Sequence, residues 1–304
     1  MTNKKEFNII MYHRIIDSLN GDSCSPSYHH ADIVVNLEKF VRQIKHLHSN
    51  HHIIGLDKAV DAYKNKHQMP DKACVLTFDD GFVDVYKNVF PVLKYFGLTA
   101  TFFIMGNPTL KKEPRWLDWY YFLIDNSTLS EFSFQWREFH LKGAKTQSRE
   151  SLYPLKLFLS ASPATEQSEI LAELEKTLKV HCDWDELNDS LYISKENIIE
   201  MSRAGMSFGA HTITHPNLSK INLKEAQEEI LSSVKLTRQL TGSDFMSFAY
   251  PFGGKTTYDE KIINILKESN VACACTSNIG VNSCDTSLFE LKRIPGEHID
   301  EYIK

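Results

Sequence analysis

No long uncharged apolar run occurs in the chain, which argues against a transmembrane helix, since one needs about 20 consecutive apolar residues. No block of lysine and arginine occurs either. Lys+Arg total 34 against 39 Asp+Glu, a formal net charge of -5, so the basic footprint of a nucleic-acid binder is missing. Paired cysteine spacing is also absent: Cys24, Cys74, Cys182, Cys273, Cys275 and Cys284 are scattered, and reduced thiols are expected rather than a disulfide framework. Cys273-Ala274-Cys275 places two thiols on one face of a strand, and core packing is the preferred reading over ligation. The start, MTNKKEFNII, turns polar again at Tyr12-His13-Arg14 without an apolar h-region, so a soluble, cytoplasmic protein is expected. Internal repeats and low-complexity tracts are lacking.

What is present is a βα rhythm. With 304 residues, 42% of them hydrophobic, the chain can bury one large α/β domain, or one domain with an inserted subdomain. Phe7 to Tyr12 is a compact apolar run, and Asn36 then opens a helical stripe of Leu37, Phe40, Ile44 and Leu47. Ala73 to Phe78 follows as a buried strand, Val85 to Phe96 as a helical stretch restarted at Pro91, and Thr99 to Ile104 as a strand. From about Asn107 to Leu191 the rhythm breaks. That segment carries Trp116, Trp119, Tyr120, Tyr121 and Phe122 and then a helical pattern, and is expected to be a mostly helical insertion. Its aromatics suit either sugar stacking or a satellite core.

After Ser194 the alternation resumes with a helix to Gly205, strand Met206–Ala210, and a helix opened by Asn222 with Glu225 at capping-box spacing and closed near Gly242. Strand Phe245–Tyr250, helix Asp259–Glu268 and strands Val271–Cys275 and Phe289–Ile294 complete it. This pattern predicts a parallel barrel or doubly wound sheet, with function at the carboxyl ends of the strands.

Three clusters fall at such strand ends. Asp79-Asp80-Gly81 directly follows the strand ending at Phe78. Adjacent carboxylates repel, and a cation on one relieves that cost and leaves the other free to act as a base. A solvated Asp-Gly turn is the competing reading. His211-Thr212-Ile213-Thr214-His215-Pro216 follows another strand, and two histidines four apart converge on one metal if the residues between them form a helical turn. Two His and one Asp on neighbouring strand ends make an open three-ligand site with room for water. Phe248-Ala249-Tyr250-Pro251-Phe252-Gly253 runs from a strand into a turn that can aim backbone N–H groups at an oxyanion.

Thr77-Phe78-Asp79-Asp80-Gly81, His211-Thr212-Ile213-Thr214-His215 and Phe248-Ala249-Tyr250-Pro251-Phe252-Gly253 resemble, in order and separation, the motifs of the polysaccharide deacetylase superfamily, also known as NodB-homology or carbohydrate esterase family 4. Ile10-Met11-Tyr12-His13-Arg14 and Thr99 to Phe103 extend the likeness, which spans residues 7–105 and 192–295. The resemblance implies a distorted (β/α)7 barrel formed by 1–106 and 192–304, with 107–191 inserted. It implies Zn²⁺ or another divalent transition metal on Asp80, His211 and His215, with Asp79 as general base for water attacking an N-acetyl carbonyl. The strand-to-turn residues Tyr250, Pro251, Phe252 and Gly253 would meet the substrate, with a backbone N–H near Phe252 facing the oxyanion. The chain departs from the family at Ala249, where an arginine is usual, and at Leu291-Lys292-Arg293, where the family reads Leu-x-His and takes its general acid. Members resembling poly-N-acetylglucosamine deacetylases instead take a histidine from the first strand, and that resemblance nominates His13 as the acid, with His298 second and a buried core histidine as the rival reading of His13. His29, His30, His46, His48, His51 and His52 lack acidic partners at ligand spacing and read as solvated loop and helix-end residues.

The expected activity is metal-dependent removal of N-acetyl groups from a sugar in a polysaccharide, oligosaccharide or glycan precursor. Rivals are a deformylase or O-deacetylase on the same scaffold, an iron oxygenase built on a facial triad, and a silent glycan-binding module.

Overall fold

A computed structural model of the chain describes residues 6–17, 33–65, 69–111, 113, 115–144 and 153–303. In chain order the strands are β1 (Phe7–Tyr12), β2 (Arg14–Ile16), β3 (Val34–Asn36), β4 (His52–Ile53), β5 (Ala73–Phe78) and β6 (Thr101–Ile104). They continue with β7 (Glu131–Trp136), β8 (Phe139–Ala144), β9 (Ser207–Ala210), β10 (Ser247–Ala249), β11 (Cys273–Cys275) and β12 (Ile294–Pro295). The main sheet runs β11-β10-β9-β6-β5-β1-β12, with β4 added on β5, and its ladders are parallel.

That spatial order is the chain order of a wound sheet, with β12 returning beside β1. The two edges are joined by one stretch of chain. Leu291 bridges to Cys275 of β11, and three residues later Ile294 pairs with Ile10 of β1. Of the parallel barrel and doubly wound sheet left open by the alternation, the chain forms the curled (β/α)7 half-barrel that the resemblance implies. The expected strand Phe289–Ile294 is laddered only at Ile294–Pro295, because its earlier residues make turn contacts and a single bridge on their way between the edges.

Burial on both faces explains why β5 is apolar or neutral along its whole length: Ala73-Cys74-Val75-Leu76-Thr77-Phe78 is buried at every position. Tyr12, Phe78 and Phe102 stack at 5.2 and 5.0 Å between ring centres, and Phe40 from helix Leu37–Asn50 caps the stack edge-on. The flanking helices begin where short polar side chains cap them. Asn36 accepts from Glu38 N–H, Asn222 from Glu225 N–H, and Ser194 and Asn197 form a reciprocal capping box. Gly242 ends helix Leu223–Thr241 in the left-handed conformation, φ 66°.

Segment 107–191 holds helices Trp116–Asn126, Tyr153–Ala161, Ala164–Leu178 and Trp184–Leu191 and the antiparallel hairpin β7–β8. Trp116, Trp119, Tyr120, Leu123, Leu159 and Leu174 share a core with Phe82 and Met105 of the barrel. Of the two readings of its aromatics, packing accounts for Trp116, Trp119 and Tyr120. Cys273 and Cys275 are likewise buried among apolar neighbours, and burial pushes the Cys275 thiol up to about 12.

Candidate active site

The carboxyl ends of β5 and β9 place Asp79, Asp80, His211 and His215 in one buried cluster. Strand β5 ends at Phe78, Asp79 N–H donates to the Tyr12 carbonyl, and Asp80 then turns to φ 70° with Gly81 at φ 67°. Asp80 Oδ1 comes to lie 3.3 Å from His211 Nε2 and 3.4 Å from His215 Nε2. The three potential ligand atoms lie within 4.8 Å of one another, and this is the cluster with metal-ligand character among the described residues. Oδ1 is buried without a hydrogen-bond partner, as a cation-facing oxygen would be. The donor set of two imidazoles and a carboxylate fits a borderline divalent ion.

The histidines do not converge through a helical turn, as their spacing suggested. Residues 211–215 form an irregular loop in which Thr212 and His215 both have left-handed backbones, φ 64° and 61°. Such backbone is costly for a β-branched residue and needs outside support. Glu229 of helix Leu223–Thr241 supplies it. Its carboxylate accepts from the N–H groups of Ile213 and Thr214 and from the Thr214 hydroxyl, at 2.7 to 2.9 Å. His215 N–H donates to Thr212 Oγ1 at 3.0 Å. Among the described residues, those with positive φ other than glycine are Lys72, Asp80, Arg137, Lys179, Thr212, His215, Phe252 and Asn270, so half of them sit at this site.

His211 is oriented through its other nitrogen, with Nδ1 2.7 Å from the Ala249 carbonyl, which presents Nε2 toward Asp80. Burial holds the His215 imidazole well below its ordinary 6.5, which keeps it neutral and able to ligate. The two aspartates are each met by a different arginine. Arg293 donates from Nη1 and Nη2 to the two oxygens of Asp79, both at 2.7 Å. Arg115 Nη1 donates to Asp80 Oδ2 at 2.8 Å. Burial on its own raises both carboxyls, and the guanidinium charges overcome it. Asp79 ends below the ordinary carboxylate range and Asp80 well below it, so both are ionised.

Arg293 resolves the gap at Ala249. The basic partner of Asp79 comes from the segment that closes the sheet, at the position where the family motif carries its histidine. Its exposure is 1%. An isolated Leu-Lys-Arg triplet gave no sign of this in sequence; the one available signal was that an arginine in a buried strand must find a carboxylate.

A cleft of about 470 Å³ opens over the cluster, a size suited to a small ligand. His13 lines it with Nε2 3.9 Å from Asp79 Oδ2, and its Nδ1 is buried without a partner. His298 also lines it, at the rim, paired with Glu301 at 3.0 Å. Phe252 extends into the cleft, exposed, with its ring 4.9 Å from that of His215. Tyr250 lines the wall, but its hydroxyl is committed to the Phe289 carbonyl at 2.9 Å. Pro251 and Gly253 shape the turn rather than line the cleft: at Gly253, φ 64°, a Cβ would stand 2.5 Å from Ser277 N. From segment 107–191 come Arg115, Leu117, Tyr121 and Lys156. Of the other histidines, His46, His48, His51 and His52 are away from the cleft, and His29 and His30 lie outside the described residues.

A family model described as polysaccharide deacetylase matches residues 66–274. The chain belongs to the polysaccharide deacetylase family. The candidate polysaccharide deacetylase YxkH of Bacillus subtilis is 21% identical over 287 residues, which are 94% of this chain and 70% of that protein. Among solved structures, the Streptococcus pyogenes deacetylase PplD in complex with acetate superposes with a TM-score of 0.64 at 19% identity, covering 98% of each chain. A polysaccharide deacetylase homologue from Bacillus anthracis gives 0.62 at 19% identity, covering all of this chain and 71% of its own. At this level of identity, the superpositions establish a shared fold. No helix among the described residues is long and apolar enough to cross a membrane.

Proposed function

We propose that this polysaccharide deacetylase family member is a divalent-metal-dependent hydrolase that removes N-acetyl groups from an N-acetylated sugar in a polysaccharide, oligosaccharide or glycan precursor. The observation that carries the reading is the meeting of Asp80, His211 and His215 around one orphaned carboxylate oxygen, with a second, ionised carboxylate, Asp79, beside it. Asp80 Oδ1 and the two Nε2 atoms would hold the cation, Zn²⁺ or a similar ion, which when bound supplies Lewis-acid activation.

The protein's own groups do the rest. Asp79 takes the proton of the attacking water, and Arg293 fixes the orientation of that carboxylate and keeps it ionised. His13, across from Asp79 at the end of β1, gives a proton to the departing amine nitrogen, so water and amide become acetate and free amine. His298 is the second candidate for that step. The turn at Phe252 faces the oxyanion with backbone N–H and covers His215 with its ring. Tyr250, Pro251 and Gly253 form the wall and fix this turn.

Acetate release from chitooligosaccharides, measured with and without a chelator and repeated for Asp79→Asn, tests the proposal. Release abolished by chelator, restored by added metal and lost in the variant is expected. Chelator-insensitive release, or full activity in the variant, would overturn it.

A further inference from the structure

We propose that Arg115, contributed by segment 107–191, is a positioning residue that sets how Asp80 presents itself to the cation; this rests on the metal-dependent reading above. Arg115 stands immediately before helix Trp116–Asn126 and is buried. Its guanidinium is held from several sides. Nε and Nη2 donate to Asp118 Oδ2 and Oδ1 at 3.2 and 3.1 Å, one turn further along. Its flat face lies 5.6 Å from the centre of the Phe82 ring, which is stacked on Tyr192, and its own N–H reaches the Tyr192 hydroxyl at 3.4 Å. With one edge of the fork on Asp118, the remaining corner, Nη1, points at Asp80 Oδ2.

The chemical consequence concerns which oxygen is left. A carboxylate with both oxygens free can chelate a cation through both. Here Oδ2 is engaged, and Oδ1 alone faces the two imidazoles at 3.3 and 3.4 Å. Arg115 therefore confines Asp80 to one ligand atom and keeps coordination positions open for water and the substrate carbonyl. Asp118 matters for aim: its two oxygens take Nε and Nη2, which leaves Nη1 to reach Asp80. The segment outside the barrel motifs thus supplies part of the active centre.

The competing account makes Arg115 a rivet that only docks the segment on the barrel. Metal-stripped protein of this sequence separates the two, titrated with Zn²⁺ against a chromophoric chelator and loaded with Co²⁺ for visible absorption. In Arg115→Met, Zn²⁺ affinity is expected to fall about 10- to 100-fold, and the Co²⁺ bands to weaken as Asp80 becomes bidentate and the coordination number rises. Arg115→Lys should recover part of both. Asp118→Asn, which loosens the hold on Arg115, should show both changes in weaker form. Wild-type affinity and Co²⁺ bands in a folded Arg115→Met protein would overturn the inference. If that variant does not fold, wild-type affinity in Asp118→Asn would do so. A wild-type protein that takes up neither Zn²⁺ nor Co²⁺ would instead show that the metal-dependent reading itself is wrong.

Discussion

The barrel and segment 107–191 each send an arginine to the same pair of adjacent carboxylates and treat them differently. The barrel gives Asp79 a bidentate partner, Arg293, which donates once to each of its oxygens. The segment gives Asp80 a single bond from Arg115 and leaves one oxygen toward the histidines. Two neighbours in sequence are thereby made chemically distinct. On the proposed reading, the fully paired carboxylate is the ionised base and the half-paired one is the ligand.

The sharpest way to break this distinction is to neutralise each aspartate in turn. Asp79→Asn should cost about 10²- to 10⁴-fold in kcat, the range for losing a general base, while metal content stays at the wild-type level. Loss of metal in that variant would mean the two aspartates share the ligand role. Arg293→Ala should lower unfolding free energy in urea by about 3–5 kcal/mol, because it strands the charge of Asp79 in the interior. Its pH profile sharpens the point. In the wild-type protein the arginine holds Asp79 below its ordinary range, so base function and the stability from the pair persist above about pH 3.8 and are lost as pH falls further. Without the arginine, burial dominates, and the acidic limb of the activity profile should move to higher pH. An unmoved limb would mean that Asp79 is not the titrating base.

A comparable cost should arise far from the chemistry. Leu174→Ala, in the core the segment shares with Phe82 and Met105, should lose about 2–5 kcal/mol, and unfolding should remain one transition. Two separated transitions would show that the regions are energetically independent. The smallest effect concerns the thiols. At pH 8, mass-spectrometric mapping after maleimide treatment should find Cys284 labelled and Cys74, Cys182, Cys273 and Cys275 unlabelled in the folded protein, since burial raises these four thiols and hides them. Labelling of Cys273 or Cys275 would show an opened sheet edge.

The barrel was legible in the sequence because its signals are local. Buried parallel strands must be continuous apolar runs, helices need caps, and side chains that leave a strand end at Asp79, Asp80 and His211 land on one face whatever the loops do. The arginine partners were not legible, because nothing near Arg115 or Arg293 in the chain names a carboxylate 35 or 214 residues away. The His211–His215 loop was misread for a related reason. Its left-handed residues are threonine and histidine rather than glycine, and they hold that backbone with the support of Glu229, which accepts from loop residues 15 and 16 positions earlier in the chain.

The central claim is that a cation is bound by Asp80 Oδ1 with His211 Nε2 and His215 Nε2. Anomalous diffraction from Zn²⁺-loaded crystals, recorded on both sides of the zinc edge, measures this directly. The account predicts one strong peak at about 2.0–2.2 Å from those three atoms, with Arg115 still on Asp80 Oδ2. A peak elsewhere, or none with the two imidazoles turned away from Asp80, would contradict it.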